Sequence, residues 1–531
     1  MVKLYKKICD FNLAQLISQK LKKIDSPFWS AFIASFLLLN LIFIYHSAHF
    51  LFGDHDWTFL KKGIPLSAGL FEGRFTQFLL INMLSMGEIL PIINNVIGFT
   101  GYCLGIALLA RYWQIPHNKQ TYILFALFCT ITPYILSFMY FAFLVAPVLS
   151  WNAFVIAALI ISEKETVFSI KKSCAAIFFI TLALGGYPPV INLIAVAFTA
   201  RLLLLITAKN VSLKTLIKNY HWTVINIIVA LGLYKLCLWY FTKIGAINSN
   251  YYNLQTTPFS EWRNKVVLVI KDIFLEFGAT LPFITASYKD ILFCLTILAL
   301  ISIIIKKENI YKKIISSCLF FAIFLAAMVT LFLSTSLKET EFSPRIDFFG
   351  YMYANTAMLA ILLQNKQHIF KNLAYIFVIC NISISSNTLF EAQKVWKLGF
   401  DAELSLYRRI SKRFHINETF NPDNRYIIVQ GGSPAFRSRF YHTPYKYESD
   451  DLLGISYVPG MASGVMWNYY GLKEYADTTS YVYTFRPDAV FKEKLINTKP
   501  WPAKESIAVG GYWIMINLNQ SGIDYLRQRY L

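Results

Sequence analysis

Long apolar runs separated by short polar loops make up most of the chain. A helix needs about 20 apolar residues to cross the hydrocarbon core of a bilayer, and eleven segments reach or approach that length. They are residues 29–51, 92–110, 121–138, 143–162, 173–186, 189–207, 221–242, 290–305, 314–335, 349–364 and 371–386. The pattern predicts an α-helical polytopic membrane protein with about 11 transmembrane helices.

Two apolar stretches outside this set are predicted to lie along the outer membrane surface. Counting residues 75–90 as a span would put the basic loop at Arg111 on the outer face, so an interfacial helix explains this stretch better. Residues 258–277 mix apolar side chains such as Trp262 with charges such as Lys265, which also suits an interfacial helix.

Composition and charge support a membrane protein and indicate its orientation. The chain is 56% hydrophobic with a mean hydropathy of +0.47. Its formal net charge of +20 comes from cations in short loops, which argues against nucleic-acid binding. With a cytoplasmic N-terminus the inner loops carry 20 Lys and Arg residues and the outer loops carry 10. Because basic loops favour the cytoplasmic side, we predict this orientation, with the C-terminal part outside the cytoplasm.

Three regions follow from this topology. Residues 1–27 are predicted to form a cytoplasmic amphipathic helix rather than a cleaved signal, since the first apolar run is long enough to span. Residues 28–386 form the multi-spanning membrane domain. Residues 387–531 form an extracytoplasmic domain, in which an amphipathic stretch precedes β-like runs at 425–430 and 506–518. This order predicts a small C-terminal α/β module.

An acidic loop leaves the first predicted span at its outer end, with the sequence Gly53-Asp54-His55-Asp56-Trp57. In an extended segment Asp54 and Asp56 share one face. One carboxylate can then act as general base on a sugar hydroxyl, while the other orients it or supports positive charge at a glycosyl centre. His55 lies between them and can modulate both. The alternative is that both acids are solvated residues that end a helix.

Arg74 and Arg345 are the two arginines nearest to the outer ends of predicted spans. A guanidinium at this level can hold a lipid phosphate through two parallel hydrogen bonds. The alternative for each is an interfacial anchor that reaches up to the headgroups. Glu72 and Asp347 lie two residues from these arginines and are the supporting acids to test.

Metal ligands are not arranged in a recognisable site. His46 and His49 are three residues apart, but no third ligand has a matching spacing. The 8 cysteines contain no CxxC pair, and all but Cys9 lie in apolar runs. Neither a disulfide framework nor a metal site is predicted.

Short motifs lie at membrane-edge positions along the chain in a fixed order. They are Asp54-x-Asp-Trp, Glu72-x-Arg-Phe, Thr132-Pro-Tyr, Gly185-Gly-Tyr-Pro-Pro and Ser343-Pro-Arg. In order and placement, over about residues 30–390, they resemble the phage-type O-antigen glucosyltransferases of serotype conversion. The chain is similar in plan to the polytopic glycosyltransferases of GT-C architecture.

The resemblance implies a glycosyltransferase of the bacterial inner membrane. It implies transfer of a glucosyl or other hexosyl residue from undecaprenyl-phosphate sugar to O-antigen or another surface polysaccharide on the periplasmic side. Asp54 and Asp56 match the family's acidic pair, and Arg74 and Arg345 match its arginine positions, whereas His55 between the acids is a departure. Because positioned arginines can stabilise a leaving phosphate monoester, no metal and no cofactor are predicted.

Two other function classes remain compatible with this topology. A flippase or transporter of lipid-linked sugars would place charges within its spans, whereas these spans carry almost none near their middles. An O-antigen polymerase would also act on lipid-linked sugar outside the cytoplasm.

Overall fold

The computed structural model describes most of the helical part of the chain and one end of the C-terminal region. The described residues are 26–51, 56, 60, 63–70, 73–139, 142–163, 169–209, 211, 213–247, 262–267, 270, 285–306, 308–330, 348–415, 426–430, 487–510 and 513–531.

Helices dominate the described residues. In chain order they are α1 (Ser26–Ile42), α2 (Ile44–Ala48), α3 (Leu79–Ser85), α4 (Pro91–Tyr112), α5 (Lys119–Thr130), α6 (Leu136–Met139), α7 (Ala142–Leu149), α8 (Trp151–Ser162), α9 (Ile170–Gly186), α10 (Val190–Lys209), α11 (Leu213–Lys243), α12 (Ala286–Ile304), α13 (Ile310–Ala326), α14 (Tyr351–Leu363), α15 (His368–His415), α16 (Ala489–Asn497) and α17 (Gln520–Tyr530). The strands are β1 (Tyr426–Gln430), β2 (Ile507–Val509) and β3 (Trp513–Asn517).

Several helices have the length and composition needed to cross a membrane. Within the described residues these are Pro91–Tyr112, Ala142–Ser162, Val190–Thr207, Thr215–Lys243, Ala286–Ile304 and His368–Leu398. A bent pair, α5 with Pro133–Met139, adds a seventh if it is one span, and α1 and α14 are shorter apolar helices. These helices support a polytopic membrane protein, but the predicted count of about 11 spans is not confirmed.

The break inside the bent pair has a local cause. Lys119–Thr130 and Pro133–Met139 meet at an angle of 47°. Pro133 has no backbone N–H and cannot continue a regular helix, but it fits the first position of a new helical turn. Thr132, in extended conformation, therefore ends one helical segment and Pro133 begins the next.

Helix α14 is the central helix of the bundle. All of its 13 residues are buried, and it packs against α12, α10, α5 and α15. The Tyr353 hydroxyl donates a hydrogen bond of 2.5 Å to Asn152 Oδ1 on α8. A helix that is apolar on every side needs such surroundings, since no face of it suits water.

Glycines allow α4 to approach the paired helices α7 and α8 closely. Gly98, Gly101 and Gly105 lie on one face of α4, and a Cβ on any of them would meet backbone atoms of residues 145–153 at 2.9 Å or less. Small residues serve this purpose in membrane helix packing, where close backbone contact replaces the hydrophobic effect as the driving force.

A charged network joins four helices at the end of the bundle predicted to face the cytoplasm. Arg201 Nε donates to Glu163 Oε1 at 2.9 Å, and the Tyr220 hydroxyl donates to the same oxygen. The Arg201 guanidinium also lies over the ring of Tyr112, 5.5 Å from its centroid. The exposed fractions of the Arg201 and Glu163 side chains are 3% and 16%, so each charge depends on the other for compensation.

Arg201→Met should lower the free energy of unfolding by about 3 kcal/mol, because it leaves the Glu163 carboxylate without its counter-charge. The measurement is the midpoint of thermal unfolding in detergent. Lys397→Met is the control, because the Lys397–Asp401 ion pair is more exposed and its loss should cost less than about 1 kcal/mol. Equal shifts for the two variants would contradict a stabilising role of the network.

Helix α3 agrees with the prediction that residues 75–90 do not cross the membrane. It has 7 residues, which is roughly 10 Å of helix against a hydrocarbon core of about 30 Å. Its side chains Met83 and Leu84 are exposed, as is Met86 directly after it. Exposed apolar side chains on a short helix suit the surface of a bilayer.

Helix α15 runs without interruption from a membrane-type segment to the C-terminal module. It has 48 residues, of which His368–Leu398 form the candidate span. The predicted span at 371–386 and the amphipathic stretch after it are therefore one helix. At its far end Arg413 Nη1 donates to the carbonyl oxygens of Pro502 and Ala503, and its guanidinium lies 4.2 Å from the Trp501 ring centroid.

The C-terminal module contains a three-stranded sheet in the order β1-β3-β2. Strand β1 is parallel to β3, and β2 is antiparallel to β3. The predicted β-like run at 506–518 thus contains two antiparallel strands, β2 and β3. Phe491 of α16, Trp513 of β3 and Leu526 of α17 form its separate hydrophobic core, which agrees with the predicted small α/β module.

Candidate functional site

Asp56 is fully buried and accepts two backbone hydrogen bonds. Its Oδ2 accepts from the N–H of Ala142 and its Oδ1 from the N–H of Phe143, each at 3.0 Å. Ala142 and Phe143 are the first described residues of α7, and the carboxylate satisfies both of their backbone amides. Asp56 thereby ties the acidic loop to the start of α7.

The loop of the Glu-x-Arg-Phe motif docks on the Gly-Gly turn at the end of α9. The Thr76 N–H donates to the Gly185 carbonyl oxygen at 3.0 Å, and the Thr76 hydroxyl donates to the Leu182 carbonyl oxygen at 2.6 Å. A Cβ on Gly185 would lie 2.6 Å from the Phe75 ring. A Cβ on Gly186 would lie only 1.9 Å from Trp151 Nε1. Both glycines are needed because other chain segments occupy the space of a side chain.

Arg74 lies against a group of packed aromatic rings. Its guanidinium is 5.3 Å from the ring centroid of Tyr187, a distance typical of a cation–π contact. Tyr187 is buried and contacts the rings of Phe138 and Phe349 at centroid distances of 5.8 and 5.6 Å. The packed tyrosine ring therefore fixes the direction in which the half-buried Arg74 side chain extends.

The Thr-Pro-Tyr motif faces the start of α12. The Thr132 hydroxyl is 3.1 Å from the Tyr288 hydroxyl, and the Tyr134 and Tyr288 rings meet edge to face with centroids 6.2 Å apart. Lys289, the next residue, is 3% exposed and is a buried cation at this end of the bundle.

These contacts gather side chains that are far apart in sequence at one end of the helical bundle, where α7 begins and α9 ends. We call this group the outer cluster, and it consists of Asp56, Arg74, Phe138, Tyr187 and Phe349. It holds the half-buried Arg74 guanidinium beside buried aromatic rings, and it contains the buried Asp56 carboxylate. The guanidinium is a group that can bind phosphate oxygens.

A comparison with known families gives the reaction class. The family model described as Glucosyl transferase GtrII matches residues 61–364, which is more than half of the chain. The chain belongs to this family. It is therefore a glucosyltransferase, as the resemblance in the sequence implies, and its partners include a sugar donor and an acceptor. No curated protein and no solved structure matches it.

Several predicted site residues of this glucosyltransferase lie outside the described residues. These are Asp54, His55, Glu72, Arg345 and Asp347, and their roles stay predictions. The matched region includes Arg74 and Arg345 and begins shortly after the acidic pair. Among the described residues no three His, Cys, Asp or Glu side chains form a group that could hold a metal ion.

Two buried amides of the glucosyltransferase were not singled out from the sequence. Asn94 Nδ2 donates to the carbonyl oxygen of Ala142 at 3.5 Å, beside the two amides held by Asp56. Gln393 on α15 donates to the Ile42 carbonyl oxygen and accepts from the His46 N–H. Asn94 is visible as a polar residue within an apolar run, whereas Gln393 lies in an amphipathic stretch and gives no such signal. In neither case does the sequence say which distant backbone groups the amide bonds.

Proposed function

We propose that this glucosyltransferase takes a glucosyl residue from undecaprenyl-phosphate glucose or a similar polyprenyl-phosphate donor. We further propose that it transfers the residue to O-antigen or another surface polysaccharide on the periplasmic side of the bacterial inner membrane. Membership of the glucosyl transferase family gives the reaction class. The outer cluster supports the donor class, because it combines a cation with aromatic rings at one end of a membrane-type bundle.

The Arg74–Tyr187 contact is the observation that carries this proposal. A guanidinium that contacts a packed ring through its face leaves N–H groups at its edge, where they can bind phosphate oxygens. In a polyprenyl-phosphate donor the phosphate lies at headgroup level and the prenyl tail remains in hydrocarbon. A cation at the end of the helical bundle suits that geometry. Arg345 is the second proposed phosphate ligand.

The proposed reaction is a displacement at the anomeric carbon of the donor sugar. The acceptor hydroxyl gives its proton to Asp54, and its oxygen forms the new bond to the anomeric carbon. The bond from that carbon to the phosphate oxygen breaks, and polyprenyl phosphate leaves with the electron pair. Asp56, whose oxygens already accept from the Ala142 and Phe143 amides, holds the loop in position. Arg74 and Arg345 stabilise the charge that develops on the phosphate.

Helix α3 and the residues beside it offer a surface for the prenyl chain. Leu66, Met83 and Leu84 are exposed apolar side chains, and they lie on the same chain segment as Arg74. A donor whose phosphate contacts Arg74 would have its tail in the adjoining hydrocarbon. This arrangement explains why the proposed site lies at the end of the bundle rather than in its middle.

Mass analysis of the surface polysaccharide tests the reaction class. We expect a gain of one hexose per repeat when the gene is present, and transfer from polyprenyl-phosphate glucose by the purified protein. An unchanged polysaccharide would contradict the proposed acceptor. Movement of lipid-linked oligosaccharide without consumption of the donor would instead indicate a flippase, and chain extension would indicate a polymerase.

Arg74→Lys and Arg345→Lys should each raise the KM for donor by about tenfold or more. Lysine keeps the charge but loses the planar fork, and a hydrogen bond to a charged group is worth about 1.5–3 kcal/mol. Initial rates at varied donor concentration measure the effect. Arg111→Lys is the control, since Arg111 is exposed at the opposite end of α4. Wild-type KM values for Arg74→Ala or Arg345→Ala would make these residues interfacial anchors only.

The orientation can be tested with a reporter that is active only in the cytoplasm. Fusion after Asn309 should give activity and fusion after Leu398, where the candidate span ends, should give none, because the predicted inner loops carry 20 basic residues and the outer loops carry 10. Activity after Leu398 would place the proposed site and the C-terminal module on the wrong side of the membrane for a periplasmic reaction.

A further inference from the structure

The first helix of the bundle is broken by a side chain from another helix. Helix α1 ends at Ile42 and α2 begins at Ile44. The hydrogen bonds on either side of the break are regular, from the Phe43 N–H to the Leu39 carbonyl and from the Ser47 N–H to the Phe43 carbonyl. A regular helix has three bonds between these two, and the last of the three runs from the His46 N–H to the Ile42 carbonyl.

Gln393 occupies the place of that bond. Its Oε1 accepts from the His46 N–H at 3.1 Å, and its Nε2 donates to the Ile42 carbonyl oxygen at 3.0 Å. In an uninterrupted helix these two backbone groups bond to each other. Insertion of a side chain into the ladder is one of the identified causes of a sharp helix kink. The Gln393 side chain is buried, so its amide is satisfied within the protein.

Further contacts fix the segment that follows the kink. The ring of Trp396 lies 5.0 Å from the ring of His46, and Asn95 Nδ2 donates to Ser47 Oγ at 2.8 Å. The helix then ends in a left-handed turn at Phe50, whose φ is 47°, and the Leu51 N–H donates to the His46 carbonyl oxygen at 3.4 Å. The acidic loop begins two residues later.

We propose that Gln393 is a positioning residue for the acidic loop. By holding the break open it sets the direction in which the chain leaves α2, and hence where Asp56 lies relative to Arg74. Gln393 touches neither substrate nor the reacting atoms. The inference rests on the proposed function, because the expected effect of the helix break is on the rate of glucosyl transfer.

Gln393→Met distinguishes an effect on the position of the acidic loop from an effect on the stability of the protein. Methionine has a similar length and volume but cannot form either hydrogen bond. The His46 N–H and the Ile42 carbonyl can then bond to each other, so the helix straightens and the protein still folds. We expect kcat to fall by about 10- to 100-fold, as small misplacements of catalytic groups do, with the donor KM within about twofold of wild type.

Gln364→Met is the matched control. Gln364 also donates from Nε2 to a backbone carbonyl, that of Trp113 at 2.6 Å, but it lies at the other end of α14 from the outer cluster. The Gln364→Met variant should have the kcat of the wild type. A second readout does not depend on activity. It is the rate at which a membrane-impermeant maleimide labels the cysteine of a Thr58→Cys variant, after subtraction of the labelling of the same protein without that cysteine. Gln393→Met should change this rate at least threefold, and Gln364→Met should not.

Each possible result of these measurements either supports or overturns the proposed role of Gln393. A lower kcat with an unchanged KM and a changed labelling rate supports the proposal. Wild-type kcat and labelling overturn it, as does a lower kcat with unchanged labelling. Failure of Gln393→Met to accumulate, when Gln364→Met accumulates, also overturns it, because the direct His46–Ile42 bond should preserve the fold. If the wild type transfers no hexose, the proposed function fails, and labelling alone still decides whether Gln393 sets the loop.

Discussion

Asp54→Asn should lower the rate of glucosyl transfer by about two orders of magnitude or more, with a normal amount of protein in the membrane. The amide preserves the shape of the side chain and removes the oxygen that accepts the acceptor's proton. Asp56 is engaged with the amides of Ala142 and Phe143, so Asp54 is the member of the pair to which we assign the base. Single-turnover transfer at saturating donor measures the effect.

Asp56→Asn should lower the stability of the protein and reduce its activity less than Asp54→Asn does. One oxygen of the amide can still accept from a backbone N–H, but its NH2 group faces the second N–H and cannot. Loss of a hydrogen bond to a charged group costs about 1.5–3 kcal/mol, so the midpoint of thermal unfolding should fall. Activity should fall less than in Asp54→Asn. The reverse pattern would make Asp56 the base, and an unaltered rate for the double variant would direct attention to Glu72 or Asp347.

Gly186→Ala should nearly abolish transfer, because the new methyl group would lie 1.9 Å from Trp151 Nε1. Trp151 is 1% exposed and has no room to withdraw. Overpacking of this kind costs about 1–3 kcal/mol and shifts the backbone. The shift would move Tyr187, the next residue, away from Arg74. We expect a loss of about 100-fold in kcat/KM for donor together with a lower midpoint of thermal unfolding.

Gly232→Ala is the control for Gly186→Ala. Gly232 lies inside α11, and a Cβ there would meet nothing within 4 Å. Alanine should stabilise the helix by about 0.5–1 kcal/mol and leave transfer unchanged. Full activity of Gly186→Ala would show that the contact between the Gly-Gly turn and Trp151 does not hold the site together.

The positions of several helices could be predicted because their signal is local. The apolar run at 92–110 corresponds to Pro91–Tyr112, and the run at 349–364 to Tyr351–Leu363. The predicted turn of the Gly-Gly-Tyr-Pro-Pro motif also lies between α9 and α10, where Gly185 and Gly186 end α9 and residues 187–189 join it to α10. In each case composition within about 20 residues decides whether a helix forms and where it ends.

The bends and the contacts of the site depend on residues far away and could not be predicted. The apolar run at 29–51 predicts one span, but Gln393 breaks it between α1 and α2. The acidic loop suggests two equivalent carboxylates, yet Asp56 is committed to the start of α7. No local pattern reports such a contact, since its partner lies far along the chain. The parallel pairing of β1 with β3 is non-local in the same way.

The site itself could be predicted as a set of motifs but not as an arrangement. Sequence order alone places Arg74 and Tyr187 at the same membrane face. It does not reveal that the guanidinium lies on the tyrosine ring, nor that Phe138 and Phe349 hold that ring in place. These contacts arise from packing of four chain segments, which only the three-dimensional structure contains.

The contact between Gln393 and His46 also sets an order of events during synthesis. The two residues are 347 positions apart, and at about 5–20 residues per second a ribosome needs roughly 17–70 s to make the intervening chain. During that time Gln393 has not yet been synthesised, and in the newly inserted first helix the His46 N–H can bond to the Ile42 carbonyl. The two hydrogen bonds of Gln393 can form only when α15 arrives. The junction between α1 and α2 is therefore completed as one of the last steps of assembly in the membrane.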